Sequence, residues 1–296
     1  METCLGSAFE RVCGGFKMNI AVLMTCHNRR ETTLNCLCSL EESWKRWGGG
    51  GGLLDVYLVD DGSIDGTASA VKSRFEVNVN RGLSVHMIEG DGRLYWAKGM
   101  ELAWCEALKN EAALMNSSSE FGFRYDCFLW LNDDTVLNPN ALYLLLNLHK
   151  DNPRVVLNGT LVDSSGKAVY GYNVQNIGLA GNCVLVPRMV YERIGMICGE
   201  FSHGWADRDY GLRVQKAGIP ILSAGIVGMT EWHPHRPSLK GLSLCQRIAL
   251  LKDPKGWNVH DLWLLRRRNW GLCAAVVSCI HFVLHVVVWG GRWGKI

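Results

Sequence analysis

The sequence predicts an α/β fold whose first half is a doubly wound sheet, and three observations carry that prediction. From Met18 onward, short apolar runs alternate with amphipathic ones, as in one sheet wound with helices rather than a sandwich or a bundle. Each early apolar run stops at a polar, acid-rich or glycine-rich segment, and in such sheets ligands sit beyond the carboxyl ends of the strands. The 296 residues, 48% hydrophobic and 20% charged, are ordinary globular material, enough for one large domain or two small ones.

The first 17 residues show no clear period and form an N-terminal extension ahead of Met18. "NIAVLM" (19–24) reads as a buried strand, and 31–47 carries Leu34, Leu37, Cys38, Leu40 and Trp44 at helical spacing before five glycines, Gly48 to Gly52, end the helix. "LLDVYLV" (53–59) is the second strand, 66–75 a helix, "SVHMI" (84–88) the third strand, 95–110 a helix and "DCFLWL" (126–131) the fourth strand. The second half is less regular. "VVLNGTLV" and "GNCVLVP" read as strands, 207–218 as a helix stopped by glycine, and "IPILSAGIVGMTEWHPH" as two short strands ending in a histidine cluster.

From about Pro237 the chain turns basic and aromatic. Residues 270–289 are long and apolar enough to be a membrane-span candidate. Ser278, His281 and His285 form a narrow polar stripe at helical spacing, and Arg266, Arg267, Arg268, Arg292 and Lys295 flank the run. These features fit an interfacial helix on an anionic leaflet better than a span. A helix packed on the main domain is the alternative. The expected divisions are 1–17, 18–236 (split at 135/136) and 237–296.

A net charge of +3 with no DNA- or RNA-binding motif gives no case for a nucleic-acid partner. Twelve cysteines scattered through apolar segments, with no Cys-x-x-Cys pair and no signal-peptide pattern, read as free thiols in a reducing cytoplasm.

Three acid pairs and one histidine pair are candidate chemistry. Asp133 and Asp134 end the fourth strand, where paired carboxylates suit Mg²⁺ or Mn²⁺ shared with substrate phosphate. The same residues would also suit a helix-capping turn before "NPNA". Asp60 and Asp61 end the second strand and could bond a base or ribose, with Gly62 to Gly66 turning into the helix. Asp207 and Asp209 open a helix, either as favourable charge at its N-terminus or as a general base. His233 and His235 in "TEWHPHR" could ligate a metal. No Gly-x-Gly-x-x-Gly follows the first strand, so this is not a dinucleotide fingerprint.

Taken in order, "VLMTCHNR", "YLVDDGSIDGT", "GDGRLYWAKGM", "FLWLNDDT", "GNCVLVPRMVYERIG" and "WADRDYGLRVQKAG" resemble the inverting family-2 glycosyltransferases of the GT-A fold, over residues 18 to about 235. Within that family they are most similar to bacterial rhamnosyl- and galactofuranosyltransferases of cell-surface polysaccharide assembly. The resemblance implies a Rossmann-like mixed sheet flanked by helices, with 18–135 as the nucleotide half, 136–236 as the acceptor half, and a C-terminal helical extension. It implies a dTDP- or UDP-linked sugar donor, a glycan or lipid-linked acceptor, and Mn²⁺ or Mg²⁺; the thiols and the basic, aromatic C-terminal run, read by themselves, lead us to expect a cytoplasmic protein peripheral to the inner face of the plasma membrane through 266–296.

Residue by residue, the resemblance puts Thr25, Asn28 and Arg29 in the nucleotide pocket and Asp60 at the base. Asp133 falls on the ribose side, Asp134 on the metal with His233 completing its site, and Asp207 at the catalytic base. Trp96 would stack on a sugar face, and Arg93 or Lys98 would meet phosphate. Asn132 stands where many members have an acid, which leaves the metal's ligand set open. Ala206 replaces the usual Glu, which leaves the base open between Asp207 and Asp209. A nucleotidyltransferase would want glycines that "TCHNRRET" lacks; a non-catalytic glycan-binding or scaffold protein of the same fold is the other alternative.

Overall fold

The computed structural model describes residues 16–48, 50–75, 83–117, 123–172, 178–231 and 238–288. The expected extension up to residue 15, the histidine pair His233 and His235, and the basic tail beyond 288 lie outside them. The first half runs β1 (Ile20–Cys26), α1 (Arg30–Trp47), β2 (Leu54–Asp60), α2 (Thr67–Phe75), β3 (Leu83–Glu89), α3 (Tyr95–Ser117) and β4 (Cys127–Leu131). The chain continues through β5 (Val136–Leu137), α4 (Ala141–Asp151), β6 (Val156–Val162), β7 (Ala168–Tyr170) and β8 (Cys183–Pro187). It ends with α5 (Arg188–Ile194), α6 (Ala206–Lys216), β9 (Ile221–Met229), α7 (Leu244–Leu250), α8 (Val259–Trp270) and α9 (Leu272–Val287).

Among the described residues the strands form one nine-stranded sheet in the order β3-β2-β1-β4-β8-β6-β9-β5, with β7 paired to β6. β3, β2, β1 and β4 are mutually parallel, and β8 enters antiparallel to both β4 and β6. In β1, Ile20, Val22, Met24 and Cys26 point to one face, against Leu37, Leu40 and Trp44 of α1 and Leu142 and Leu145 of α4. Ala21 and Leu23 point to the other, against Met100 and Trp104 of α3 and Tyr210 and Val214 of α6. Strands covered on both faces read as unbroken apolar runs rather than alternating ones, which is why they stand out in the sequence.

The chain order reverses beside β1, whose neighbours are β2 and β4. That reversal opens a crevice at the carboxyl ends of these strands. Cys26 aligns with Asp60 across the parallel pair, so the segments after β1 and β2 emerge side by side.

Three expectations change. The residues read as two short strands are one, β9, whose pairing with β6 shifts register on either side of Thr160. Gly225, at φ +79, lies in the irregular stretch, a conformation glycine adopts without strain. Helix α3 extends seven residues past 110, to Ser117. The third change concerns α9, whose expected polar stripe is split between surface and interior: His281 is exposed, whereas His285 is buried beneath Trp257, with ring centroids 5.6 Å apart, and Ser278 is half-buried. No helix among the described residues is long and apolar enough to cross a membrane.

Candidate functional site

The crevice is a cleft of about 810 Å³. Of the residues singled out in the sequence, Thr25, Arg29, Asp61, Trp96, Asp133, Asp134 and Asp207 line it. β1 supplies Thr25, and α3 comes close enough that a Cβ on Gly99 would lie 2.6 Å from the Thr25 hydroxyl. That helix position therefore needs a residue without a side chain.

Asp133 and Asp134 follow β4 and share one cation. Arg29 Nη1 donates to Asp133 Oδ1 at 3.0 Å and to Asp134 Oδ2 at 3.1 Å. The remaining oxygens, Asp133 Oδ2 and Asp134 Oδ1, are buried and have no hydrogen-bond partner among the described residues. Burial pushes the Asp133 carboxyl up to about 7, the Arg29 charge opposes this and the Asp134 charge adds to it. Burial likewise raises Asp134, again against Arg29. A single guanidinium thus under-compensates two buried carboxylates.

Two hard oxygen donors left open on adjacent residues of one cleft fit a divalent ion of the Mg²⁺ or Mn²⁺ class. Among the described residues no group of three or more His, Cys, Asp or Glu side chains is placed to hold one. The protein's share of such a site is therefore the carboxylate pair, as for an ion that completes its shell with water and substrate phosphate. His233, the expected third ligand, lies outside the described residues.

Asp207 sits in the first turn of α6. Its Oδ1 accepts the Arg208 N–H at 2.7 Å and its Oδ2 the Gly181 N–H at 3.2 Å. Burial raises its pKa and those two N–H donors lower it. Gly181 leaves no room for a side chain, since a Cβ there would be 2.5 Å from the Trp96 ring. Trp96 is fixed from its other edge, donating its indole N–H to Asn132 Oδ1 at 2.8 Å. Asn132, where the resemblance led us to expect an acid, thus orients Trp96 in the cleft. Burial raises the pKa of the Tyr170 phenol and the charges of Asp134 and Asp207 add to it; Tyr170, the carboxylate pair and Asp207 all line the one cleft.

Other expected residues lie elsewhere. The Asp60 carboxylate is buried and accepts the Ser63 N–H at 3.0 Å, shaping the turn after β2 rather than lining the cleft. Asp61 lines the cleft but is engaged by the N–H groups of Gly92, Leu94 and Tyr95, which hold the loop after β3 in place. Asn28 donates its N–H to Ser63 Oγ and accepts from the Ile64 N–H, both at 2.8 Å, clasping two loops together. Arg93 and Lys98 are exposed and outside the cleft lining. Asp209 is fully buried and faces away, paired with Arg213 at 2.9 Å and Arg268 at 3.3 Å and accepting from Asn269 at 3.0 Å.

The structure adds residues that no sequence pattern marked. His203, whose buried Nδ1 has no hydrogen-bond partner among the described residues, lines the cleft. Burial, with Lys255 and Arg29 nearby, pushes its pKa down to about 4. Asp253, Lys255, Asn258 and Asp261 form a further wall. Asp261 Oδ1 accepts the Ser202 N–H at 2.9 Å and Oδ2 the His203 N–H at 3.4 Å. The C-terminal helices, expected as an appendage after 236, therefore complete the cleft. Among the described residues, the non-glycine positions with positive φ are Asn28 (50°), Tyr95 (54°) and Trp205 (73°). Tyr95 and Trp205 line the cleft and Asn28 borders it, a concentration of backbone strain typical of functional sites.

Comparison with known proteins agrees with this architecture. The sequence profile of Glycosyl transferase family 2 matches residues 21–204. No curated protein matches the sequence. Among solved structures, the mannosyltransferase PcManGT from Pyrobaculum calidifontis, in complex with GDP-Man and Mn²⁺, is similar over 95% of this chain and 77% of its own, at 16% identity and a TM-score of 0.55. Residues 1–349 of S. aureus TarS are similar over 92% of this chain and 81% of theirs, at 13% identity and a TM-score of 0.52. The same fragment in complex with UDP gives 14% identity and a TM-score of 0.53. The fold, a mixed sheet flanked by helices with a C-terminal helical extension, is that of GT-A transferases.

Proposed function

Because the chain belongs to glycosyl transferase family 2, we propose that it moves a sugar from a nucleoside diphosphate, dTDP- or UDP-linked, to a glycan or lipid-linked acceptor with inversion. The observation that carries this reading is the pairing, across one cleft, of two buried carboxylates with open oxygens and a separate carboxylate, Asp207, held by two backbone N–H groups.

Asp133 and Asp134 would hold Mn²⁺ or Mg²⁺, which when bound supplies charge stabilisation for the departing diphosphate. Arg29 sits beside the same carboxylates and adds fixed positive charge where phosphate charge builds up. Trp96, locked by Asn132, offers a flat apolar face for the sugar. Asp207 removes the acceptor hydroxyl's proton; burial raises its basicity, and the N–H donors keep both oxygens oriented. The hydroxyl oxygen then attacks the anomeric carbon opposite the diphosphate, so configuration inverts in one step without a covalent carboxylate intermediate. Residues 18–135 serve the nucleotide and 136–236 the acceptor. The place in cell-surface polysaccharide synthesis, and the likeness to rhamnosyl- and galactofuranosyltransferases, rest on the order of the sequence motifs.

Calorimetry with UDP and dTDP, with and without Mn²⁺, followed by a donor-hydrolysis assay with the matching sugar nucleotides, tests this. Metal-dependent nucleotide binding with slow hydrolysis is expected. Absence of nucleotide binding in both metal conditions would instead favour a glycan-binding scaffold.

A further inference from the structure

We propose that the outer face of α9, extended by α7, docks on the surface of an anionic lipid bilayer. The helix exposes a largely apolar surface, bordered by the exposed His281. Its inward side carries His285 and the half-buried Ser278 along with Phe282 and Val286. Its outward side carries Leu272, Val276, Ile280 and Leu284, spaced four apart and so forming one stripe. Val277 beside them is 67% exposed and Ile280 57%. Helix α7 has no buried residue and exposes Leu244 and Ile248. Its Arg247 donates to the Val287 carbonyl at 3.3 Å, which places α7 at the C-terminal end of α9. A contiguous apolar face of this kind is an interaction surface rather than ordinary protein exterior.

Charge selects the occupant. From Leu262 to the C-terminus the sequence contains Arg266, Arg267, Arg268, Arg292 and Lys295 and no Asp or Glu. At the start of α9 the half-exposed Trp270 lies under Arg266 at 4.9 Å and Lys216 at 5.8 Å. An amphipathic indole beside basic groups, next to an apolar face, matches the headgroup boundary of a negatively charged leaflet. A second copy of this chain would bring the same positive rim against itself, which opposes a symmetric dimer.

The helix lies in the surface and does not cross it. Its 16 residues extend about 24 Å, short of the roughly 30 Å hydrocarbon thickness. Helix α8, of 12 residues and so about 18 Å long, carries Asp261 at the cleft in its first turn and Trp270 at the lipid face at its other end. On the glycosyltransferase reading, which this part of the inference rests on, such an arrangement suits a lipid-linked acceptor whose reactive hydroxyl stands off from its lipid by a polar headgroup.

The test is co-sedimentation of the full chain with vesicles of phosphatidylcholine alone or mixed with phosphatidylglycerol. Binding is expected to the mixed vesicles, weakened by high salt. Ile280→Asp should lower it by about tenfold or more. The double substitution Arg266→Gln, Arg267→Gln should lower it about 25-fold, at about fivefold for each charge. Nucleotide binding, measured in parallel, should stay unchanged in both variants and reports that they fold. The proposal is overturned if wild type ignores anionic vesicles, if Ile280→Asp binds them as wild type does, or if wild type is a dimer that Ile280→Asp splits and lipid does not. Vesicle binding intact in a protein that binds no nucleotide would overturn the glycosyltransferase reading and leave the docking face standing.

Discussion

Two acid pairs, Asp133 with Asp134 and Asp207 with Asp209, look alike in the sequence and behave differently in the structure. The first pair follows a strand, and both members turn to the cleft and to the same Arg29 nitrogen. The second lies on α6, where two residues along the chain are about 200° apart around the helix axis. Asp207 therefore faces the cleft while Asp209 is driven into the protein, against Arg213, Arg268 and Asn269. Backbone geometry, more than residue type, divides a solvent-facing carboxylate from a structural one.

The contrast breaks most visibly at Asp207. Asp207→Asn should cut turnover about 100- to 10,000-fold, the range for loss of a positioned general base, with nucleotide affinity and melting temperature little changed. Steady-state turnover beside calorimetry checks this, and near-normal turnover would remove Asp207 from the role. Asp209→Asn should do the reverse. It leaves Arg213 and Arg268 beside a neutral group and costs about 3 kcal/mol of stability, seen in denaturant unfolding, while the variant that remains folded keeps its nucleotide affinity.

The smallest effect concerns pH. The folded state holds the Asp133 proton up to about 7, above the ordinary carboxylate value of 3.8. Its stabilising contribution is thus full below about pH 4 and is lost as pH rises through about 7. In metal-free protein, melting at about pH 5 and about pH 8 should differ less for Asp133→Asn than for wild type. An identical difference in the two proteins would show that the carboxyl is not held in this way.

The parallel half of the sheet was legible because β1, β2 and β4 are buried on both faces and because glycines punctuate the helices. The short pieces were not: β5 has two residues and β7 three, too few for any period to show, and Gly225 made β9 look like two strands. In the site, the strand ends announced Asp61, Asp133 and Asp134, since topology alone sends strand ends to one crevice. Asp60 and Asp61 could not be told apart, because neighbours at a strand end diverge by a rotation that only the loop fixes. His203 and the wall from Asp253 to Asp261 were invisible. Their place depends on bonds such as Ser202 to Asp261, 59 residues apart in the chain, for which no local pattern exists.

The hold of Asp261 on the 202–203 backbone has a consequence for how the protein comes into being. A ribosome that has already released the sheet, the paired acids and Asp207 has still not made the cleft's last wall, which emerges only with the segment from Asp253 to Asp261. The site therefore closes late in synthesis, together with the same helices that carry the exposed apolar face, so a chain cut short before them would be left with its acids and without a chamber.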